Sequence, residues 1–196
     1  MGRKGVEPAR RKALVDAAIG EIGRTGSLDV TVSQIAKRAG MSPALAHHYF
    51  GSKEQIFLAA MRRLLSDYAA EVRRALAAAA DTPEARLRAV VGANFADINL
   101  APEAVAAWLS FYVRARKSES VARLLHIYHR RLRSNLLNEL RPLAGARAET
   151  IALGLAAMID GLYIRRALET PPPPRGACTA AALDYLDLHL AKKDPQ

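Results

Sequence analysis

Side chains suited to binding phosphate stand at the beginnings of three stretches of this sequence. Thr31, Ser42 and Lys53 each precede or begin a run of helix-forming residues. Hydroxyl and ammonium groups at helix N-termini are good partners for phosphate oxygens. Basic residues lie before and between these stretches: Arg3, Lys4, Arg10, Arg11, Lys12, Lys37 and Arg38. The pattern predicts that this part of the chain binds a polyanion.

The segment between Ser42 and Phe50 has the composition of a helix that can approach the edges of DNA bases. Its members are compact or aromatic: Pro43, Ala44, Leu45, His47, His48 and Tyr49. Small side chains let a backbone come close to the bases, and imidazole and phenol groups can donate or accept hydrogen bonds there. An ordinary helical hairpin, with Leu45 in the core and both histidines in solvent, would show the same local pattern.

A second group of residues could hold an organic cation. It combines aromatic rings with carboxylates: Phe95, Asp97, Trp108, Phe111, Tyr112, Asp160 and Tyr163. Trp108, Phe111 and Tyr112 are spaced i, i+3 and i+4, which places them on one face of a helix. Ring faces near a carboxylate suit a quaternary ammonium group, at ~0.5–2 kcal/mol for each ring. Aromatic residues at helical spacing are also typical of a protein core, so a purely structural role stays open.

The sequence lacks the motifs of common catalytic sites. It contains no Gly-x-Ser-x-Gly turn, no phosphate-binding Gly-Lys loop and no dinucleotide-binding glycine run. His126 and His129 are three residues apart, but no cysteine or carboxylate accompanies them at metal-ligand spacing. We therefore expect no enzymatic activity, no metal and no cofactor. A protein that binds DNA without sequence preference remains an alternative.

Helical apolar spacing extends along nearly the whole chain and predicts an all-α fold of nine helices. Leu14, Ala18 and Ile22 form a row at i, i+4 and i+8 in the first helix. Capping boxes at residues 31–34 and 52–55, and the Ser42-Pro43 pair, mark three helix starts. Residues 31–50, with Gly40 in the turn, therefore form a predicted helix-turn-helix. Later helices are expected over about 83–100, 102–116, 118–143, 147–169 and 179–190.

Length and charge predict one or two domains and a polyanionic partner. The chain has 196 residues, 51% of them apolar, and a net charge of +10. Residues 1–63 hold 11 Lys and Arg against 5 Asp and Glu, so most of the positive charge lies in the N-terminal third of the chain. The longest uncharged apolar runs have 10 residues, whereas a membrane helix needs about 20. With Cys178 as the only cysteine, we expect a cytoplasmic protein without a disulfide or a membrane anchor.

The run from Thr31 to Glu54 resembles the DNA-binding signature of the TetR family of transcriptional regulators. The matching parts are Ile35-Ala36, Ala39-Gly40, Ser42, His48-Tyr49-Phe50 and Ser52-Lys53-Glu54. The resemblance implies a three-helix DNA-binding domain at 8–68, a long linking helix, and a ligand-binding and dimerising domain at 69–196. It also implies double-stranded operator DNA as the partner. Ala44 and His47 stand where Gly and Tyr are common in the family, so the operator sequence is not predicted.

Four further segments resemble one subgroup of this family, the BetI repressors: Gly92–Phe95, Ala107–Phe111, Arg130–Leu136 and Gly154–Leu162. The resemblance implies repression of the genes that make glycine betaine from choline, with choline as the small-molecule effector. A different cationic or lipophilic inducer is the alternative.

The resemblance also implies a homodimer in which the last two helices meet those of a second copy. Two apolar stripes are the expected dimer face: Ile151, Leu155, Met158, Ile159 and Leu162, then Leu183, Leu186 and Leu190. Burial of both stripes within one subunit is the alternative.

Overall fold

The computed structural model of the chain describes residues 6–174 and 176–191, and over these residues it is helical without a strand. The predicted all-α class is therefore confirmed. The helices are α1 (Val6–Thr25), α2 (Val32–Arg38), α3 (Pro43–Phe50), α4 (Lys53–Ala78), α5 (Pro83–Asn94), α6 (Pro102–Ala115), α7 (Glu119–Ala144), α8 (Ala148–Leu168) and α9 (Ala177–Ala191). Arg3 and Lys4 lie outside the described residues. None of the described helices has the length and hydropathy needed to cross a membrane.

The chain divides into two compact units. The first comprises the chain up to Ser66 together with Ala101–Leu125, and the second comprises Asp67–Leu100 and the chain from His126 onward. The first unit thus adds α6 and the beginning of α7 to most of the predicted DNA-binding domain. α4 and α7 each contribute residues to both units.

In the first unit, α1 packs against both α2 and α6, and α2 packs against α3. The predicted row of Leu14, Ala18 and Ile22 is fully buried, which confirms the face that α1 turns inward. Ile35 of α2 and Ala46 of α3 are also fully buried. The two short helices are therefore held by small apolar faces, Ile35 and Ala36 in α2 and Ala46 in α3, and their exposed residues stay outside the core.

In the second unit, α9 packs against both α5 and α8. Leu87, Leu140, Leu155 and Leu186 are fully buried there. Two ion pairs join helices of this unit: Arg86 Nε of α5 lies 3.0 Å from the buried Glu139 carboxylate of α7, and Arg88 of α5 pairs with Asp187 of α9.

One predicted helix end is wrong. α5 ends at Asn94 instead of about residue 100, because Phe95 leaves the helical conformation and the following turn is held by Asn99, whose Nδ2 donates to the Ala93 carbonyl at 2.8 Å. α7 ends at Ala144, one residue beyond the predicted end, with Pro142 in its last turn. A proline in the last turn removes one backbone donor but leaves the preceding helix intact.

Four of the eight residues in the predicted dimer stripes are buried within one subunit, and the other four are half-buried: Met158, Leu162, Leu183 and Leu190. Ile151, Leu155 and Ile159 of α8 and Leu186 of α9 are at most 2% exposed, because α8 packs directly on α9 of the same chain. These four residues therefore belong to the core of the second unit, and the expectation that they meet a second copy is wrong. The exposed apolar side chains of these two helices are Leu153, Leu168 and Leu188.

Candidate nucleic-acid interface and ligand site

The N-terminus of α2 carries the first predicted phosphate contact. Thr31 Oγ1 accepts the Gln34 N–H at 3.2 Å, and Gln34 Oε1 accepts the Thr31 N–H at 2.6 Å. This is the predicted capping box, and it satisfies two of the amides that a helix start leaves without partners. Thr31 is exposed. Its hydroxyl hydrogen is therefore free to donate to an acceptor in solvent while its oxygen caps the helix.

The turn and the start of α3 follow the predicted chemistry. Gly40 has φ of 67°, a left-handed conformation that glycine adopts without strain. Ser42 Oγ accepts the Leu45 N–H at 3.2 Å, and Pro43 occupies the first helical position. Gly51, with φ of 74°, ends the helix eight residues later. Both ends of α3 are thus set by local sequence.

α3 presents a polar and compact face outward. Pro43, Ala44, His47 and His48 are exposed, Leu45 and Tyr49 are half-buried, and Ala46 is buried. His47 Nδ1 lies 3.3 Å from the Gly51 carbonyl oxygen, so one ring nitrogen is engaged and the other faces away from that contact. Four of the six residues predicted to reach base edges are therefore on the accessible side of the helix, while Leu45 and Tyr49 are partly covered.

The end of α3 is tied to α1 by two arginines. Arg11 Nη1 donates to the Tyr49 carbonyl, and its guanidinium lies 4.7 Å from the centre of the Phe50 ring. Arg10 Nη1 donates to the Tyr49 hydroxyl at 3.4 Å. Sequence reasoning treated these cations only as phosphate contacts. The structure gives them a second role, which is to fix the C-terminus of α3.

The N-terminus of α4 carries the third predicted phosphate contact. Ser52 Oγ accepts the Gln55 N–H at 3.2 Å, which is one half of the predicted capping box, while the Ser52 N–H donates to the Phe50 carbonyl at 2.8 Å. Lys53 is half-buried, and its ammonium group lies 5.3 Å from the centre of the Phe57 ring. This contact holds the lysine stem along an apolar surface while the charge remains at the helix start.

A buried carboxylate joins α1 to α2. Glu21 is 7% exposed, and its two oxygens lie 2.8 Å from Arg24 Nη2 and 3.2 Å from Arg38 Nη1. The hydrogen bond from Arg24, and after it the one from Arg38, hold the pKa of Glu21 below its ordinary value although burial acts in the opposite direction. The ion pair fixes the end of α2 against α1, so Arg38 is a structural cation here.

The first unit therefore offers a polar surface built from three helix N-termini and one outward helix face. Thr31, Ser42 and Lys53 begin α2, α3 and α4, each with backbone amides of the first turn behind it. Helix N-termini carry partial positive charge and bind phosphate through those amides. Such an arrangement can position α3 against the backbone of a duplex while its outer face meets the bases.

The predicted ligand residues of α6 belong to this first unit. Trp108 and Phe111 are buried, and the Trp108 and Tyr112 ring centres are 6.3 Å apart. Phe111 lines a cavity of about 240 Å³ together with Leu28, Phe57 and Val121, with Lys53 and Arg114 among the other lining residues. The three aromatic residues thus share one helix, as predicted, and Phe111 is part of its inner face.

The remaining predicted ligand residues lie in the second unit and are not all together. Tyr163 donates its hydroxyl to the Asn99 carbonyl at 3.0 Å, and burial raises the pKa of Tyr163 above its ordinary range. Phe95 is buried at the end of α5. Asp97 is exposed and lines an open cleft with Asp67, Glu71 and Arg74, away from the α8 residues.

Asp160 is the centre of a polar cluster on α4, α7 and α8. Tyr128 donates its hydroxyl to Asp160 Oδ1 at 3.1 Å, and His129 Nε2 lies 3.6 Å from Asp160 Oδ2. The Tyr68 ring stands edge-on to the Tyr128 ring, with centres 5.4 Å apart. The Tyr68 hydroxyl is buried and makes no hydrogen bond of normal geometry among the described residues, although the Asn94 side chain lies close enough to lower its pKa somewhat against the effect of burial. Burial raises the pKa of Tyr68, so this group is a neutral O–H donor.

Sequence reasoning missed Tyr68 and Tyr128 as members of this cluster. Both stand on the apolar stripes of their helices, Tyr68 after Leu64 and Leu65 and Tyr128 before Leu132. The available signal was an aromatic residue with a polar tip on a core face, since a buried phenol needs a hydrogen-bond partner. Among the described residues no cluster of three His, Cys, Asp or Glu side chains could hold a metal ion.

Comparisons with known proteins match two parts of the chain. A family described as bacterial regulatory proteins of the tetR family matches residues 14–60, and one described as BetI-type transcriptional repressor, C-terminal, matches residues 83–191. The HTH-type transcriptional regulator BetI of Rhizobium meliloti is 55% identical over 97% of this chain and 94% of that protein. The protein of the same name from Brucella melitensis biotype 2 is 50% identical over 97% of this chain and 96% of that protein.

A solved structure shows the same fold at low sequence identity. A transcriptional regulator from Saccharomonospora viridis, crystallised in complex with choline, superposes with a TM-score of 0.76 at 22% identity, over 90% of this chain and 95% of that chain. The family matches and the near full-length relatives account for the capped helix-turn-helix and for the absence of catalytic motifs from the sequence. The chain therefore belongs to the TetR family of bacterial transcriptional regulators, as a DNA-binding repressor with a BetI-type C-terminal region and not as an enzyme.

Proposed function

We propose that this protein represses, in the cytoplasm, the genes that convert choline to glycine betaine, and that choline is the effector that modulates its DNA binding. The relatives named BetI and the choline complex of the structural neighbour support this assignment. The observation that carries it is the cluster around Asp160, in which a carboxylate, two aromatic rings and a buried hydroxyl without a hydrogen bond of normal geometry lie together.

The cluster matches both chemical groups of choline. The quaternary ammonium group has no N–H to donate and is stabilised by ring faces and by a nearby carboxylate, here Tyr68, Tyr128 and Asp160. The alcohol of choline can accept a hydrogen bond, and the Tyr68 hydroxyl is a donor without an acceptor of normal geometry. A purely lipophilic inducer would gain no hydrogen bond from that donor, whereas the alcohol of choline would.

DNA reading by this domain requires two copies. One helix of eight residues contacts few base pairs, whereas two such helices about 34–36 Å apart enter successive major grooves and read a palindrome. A homodimer with twofold symmetry supplies that arrangement. We therefore propose that the DNA-binding form is a homodimer on a double-stranded operator.

The exposed leucines of α8 and α9 are the proposed dimer contacts. Leu153 and Leu168 are each 71% exposed and are separated by about four helical turns, so they lie on one side of α8. Leu188 of α9 is 68% exposed. A second copy would cover these side chains, while the buried stripes predicted earlier stay within each subunit.

One helix connects the proposed phosphate and ligand contacts. α4 begins at Lys53 and includes Tyr68, so a ligand that changes the position of Tyr68 acts on the same rigid element as the phosphate contact. A 100-fold loss of operator affinity requires that choline prefer the non-binding state by ~2.7 kcal/mol.

The test is a titration of a fluorescent operator duplex with purified protein, with and without choline. We expect choline to lower the affinity or to change the complex, and glycine betaine to have a smaller effect. The matched variants are Asp160→Asn and Asp97→Asn. Asp160→Asn should weaken choline binding at least tenfold and Asp97→Asn less than twofold, because Asp160 lies in the aromatic cluster and Asp97 lines the open cleft.

Two results would count against the proposal. An operator complex that choline leaves unchanged would remove choline as effector. A thermal-shift screen in which another amine stabilises the protein more than choline would favour the alternative inducer.

A further inference from the structure

Two glycines of α1 are the positions at which other elements approach this helix most closely. A Cβ atom at Gly20 would lie 2.7 Å from Arg38 Nε, and one at Gly23 would lie 2.5 Å from the Cα atom of Glu103. Both distances are shorter than real Cβ atoms show, so neither position accepts a side chain unless something moves. Glycine inside a helix is less stable than alanine. These two close approaches give a reason for that choice.

The two contacts differ in what would have to move. At Gly20 the neighbour is the end of the flexible Arg38 side chain. At Gly23 the neighbour is the backbone of α6 in its first turn, together with Cβ and Cγ of Glu103. α6 is anchored in the first unit by Ala107 and Phe111, which are fully buried. A side chain at position 23 would therefore displace one helix from the other.

The same stretch of α1 also holds α2. Glu21, between the two glycines, is ion-paired with Arg38, the last residue of α2. α2 in turn packs against α3. Glu21 is only two residues from Gly23. A displacement of α1 at Gly23 would therefore also move Glu21 and disturb the Glu21–Arg38 ion pair that positions the helix-turn-helix motif.

We propose that Gly23 is a positioning residue for DNA reading: by admitting the backbone of α6 against α1, it sets the placement of α1 and, through Glu21 and Arg38, the placement of the helix-turn-helix. α6 then contributes to DNA reading together with the helix-turn-helix motif. This role requires only that the protein read an operator, and it does not depend on the identity of the effector.

The test compares Gly23→Ala with Gly92→Ala, a helical glycine whose added Cβ would meet nothing within 4 Å. The probes are a duplex enriched by the wild-type protein from a random-sequence library and a random duplex of equal length. Gly23→Ala should bind the enriched duplex at least tenfold more weakly than Gly92→Ala does, at a temperature where circular dichroism shows both variants folded. Affinity for the random duplex should stay within twofold, because the cations that contact phosphate are unchanged.

Two outcomes would overturn the proposal. One is a folded Gly23→Ala protein that binds the enriched duplex within twofold of Gly92→Ala. The other is an equal loss on both duplexes, which a general loss of folded protein would produce. Should Gly23→Ala fail to fold, amide hydrogen exchange of the wild-type protein decides the question. The first turn of α6 should gain protection together with residues 19–25 when the enriched duplex binds, and no change in α6 would refute the role.

Discussion

Replacement of Tyr68 by phenylalanine should stabilise the free protein. The Tyr68 side chain is 4% exposed, and its hydroxyl makes no hydrogen bond of normal geometry among the described residues, with the Asn94 side chain as a polar neighbour. A buried polar group without a partner costs about 1–3 kcal/mol, and an apolar group of the same shape avoids that cost. Tyr68→Phe removes one oxygen atom and leaves the ring contact with Tyr128 in place. We therefore expect the free energy of unfolding to rise by ~1 kcal/mol.

The matched variant Tyr128→Phe should do the opposite. The Tyr128 hydroxyl donates to the Asp160 carboxylate at 3.1 Å, and hydrogen bonds to charged groups are worth roughly 1.5–3 kcal/mol. Loss of this donor should lower the free energy of unfolding by a similar amount. Urea unfolding followed by circular dichroism measures both variants. For a chain of this size each 1 kcal/mol moves the melting temperature by about 2–4 °C.

The same pair of variants tests the ligand assignment. If the alcohol of choline accepts from Tyr68, then Tyr68→Phe should weaken choline binding by roughly two- to tenfold, which corresponds to ~0.5–1.5 kcal/mol. Calorimetry on the free dimer gives this ratio without DNA. Tyr68→Phe that destabilises the protein as much as Tyr128→Phe would show that the Tyr68 hydroxyl has a partner in the free protein. That result would refute the reasoning.

Three further predictions concern the DNA-binding motif and the dimer. Glu21→Gln should reduce the dependence of stability on pH in acid. Because the pKa of Glu21 is lowered in the folded protein, its ionised form stabilises the wild-type fold above about pH 4.3, the pKa of Glu in an unfolded chain. This stabilisation is lost as the pH falls towards the pKa of Glu21 in the folded protein. Measurement of the free energy of unfolding at a series of acid pH values checks this. Lys53→Ala should weaken binding to all duplexes equally and reduce the slope of log affinity against log salt concentration by about one unit. His47→Ala should instead change the order in which the protein prefers different operators. If the two variants behaved alike, the division into phosphate and base contacts would be contradicted. Leu153→Glu combined with Leu188→Glu should give a monomer in sedimentation experiments, and a persistent dimer would place the interface elsewhere.

The parts of the fold that local chemistry determines could be predicted from the sequence. Thr31 with Gln34, Ser42 with Pro43, and Gly51 each act within one turn of chain, and all three fix the helix boundaries that they indicate. The end of α5 was predicted wrongly because it depends on Asn99, five residues beyond the helix. A side chain that acts across a loop leaves no periodic signal.

The parts that depend on tertiary packing could not be predicted. A stripe of Ile151, Leu155 and Ile159 looks the same whether it faces a second copy or α9 of its own chain, since both partners are apolar. The ligand cluster shows the same limit. Asp160 was predicted from its type, but Tyr68 and Tyr128 come from helices that are far away in the sequence and meet it only in the folded unit.

Several cations near α3 are paired with groups of the protein and are therefore less available to bind phosphate. An isolated helix as short as α3 is marginal in water, so its orientation depends on its caps and on Arg11, which is committed to the Tyr49 carbonyl and the Phe50 ring. Lys12 lies 2.5 Å from Asp16, and Arg38 is held by Glu21. Each phosphate neutralised contributes about 0.9 to the salt slope of binding. These three cations are paired within the protein, so the net charge of residues 1–63 overstates the number of phosphates that one subunit neutralises. The measured salt slope of DNA binding should therefore be smaller than the value calculated from that charge alone.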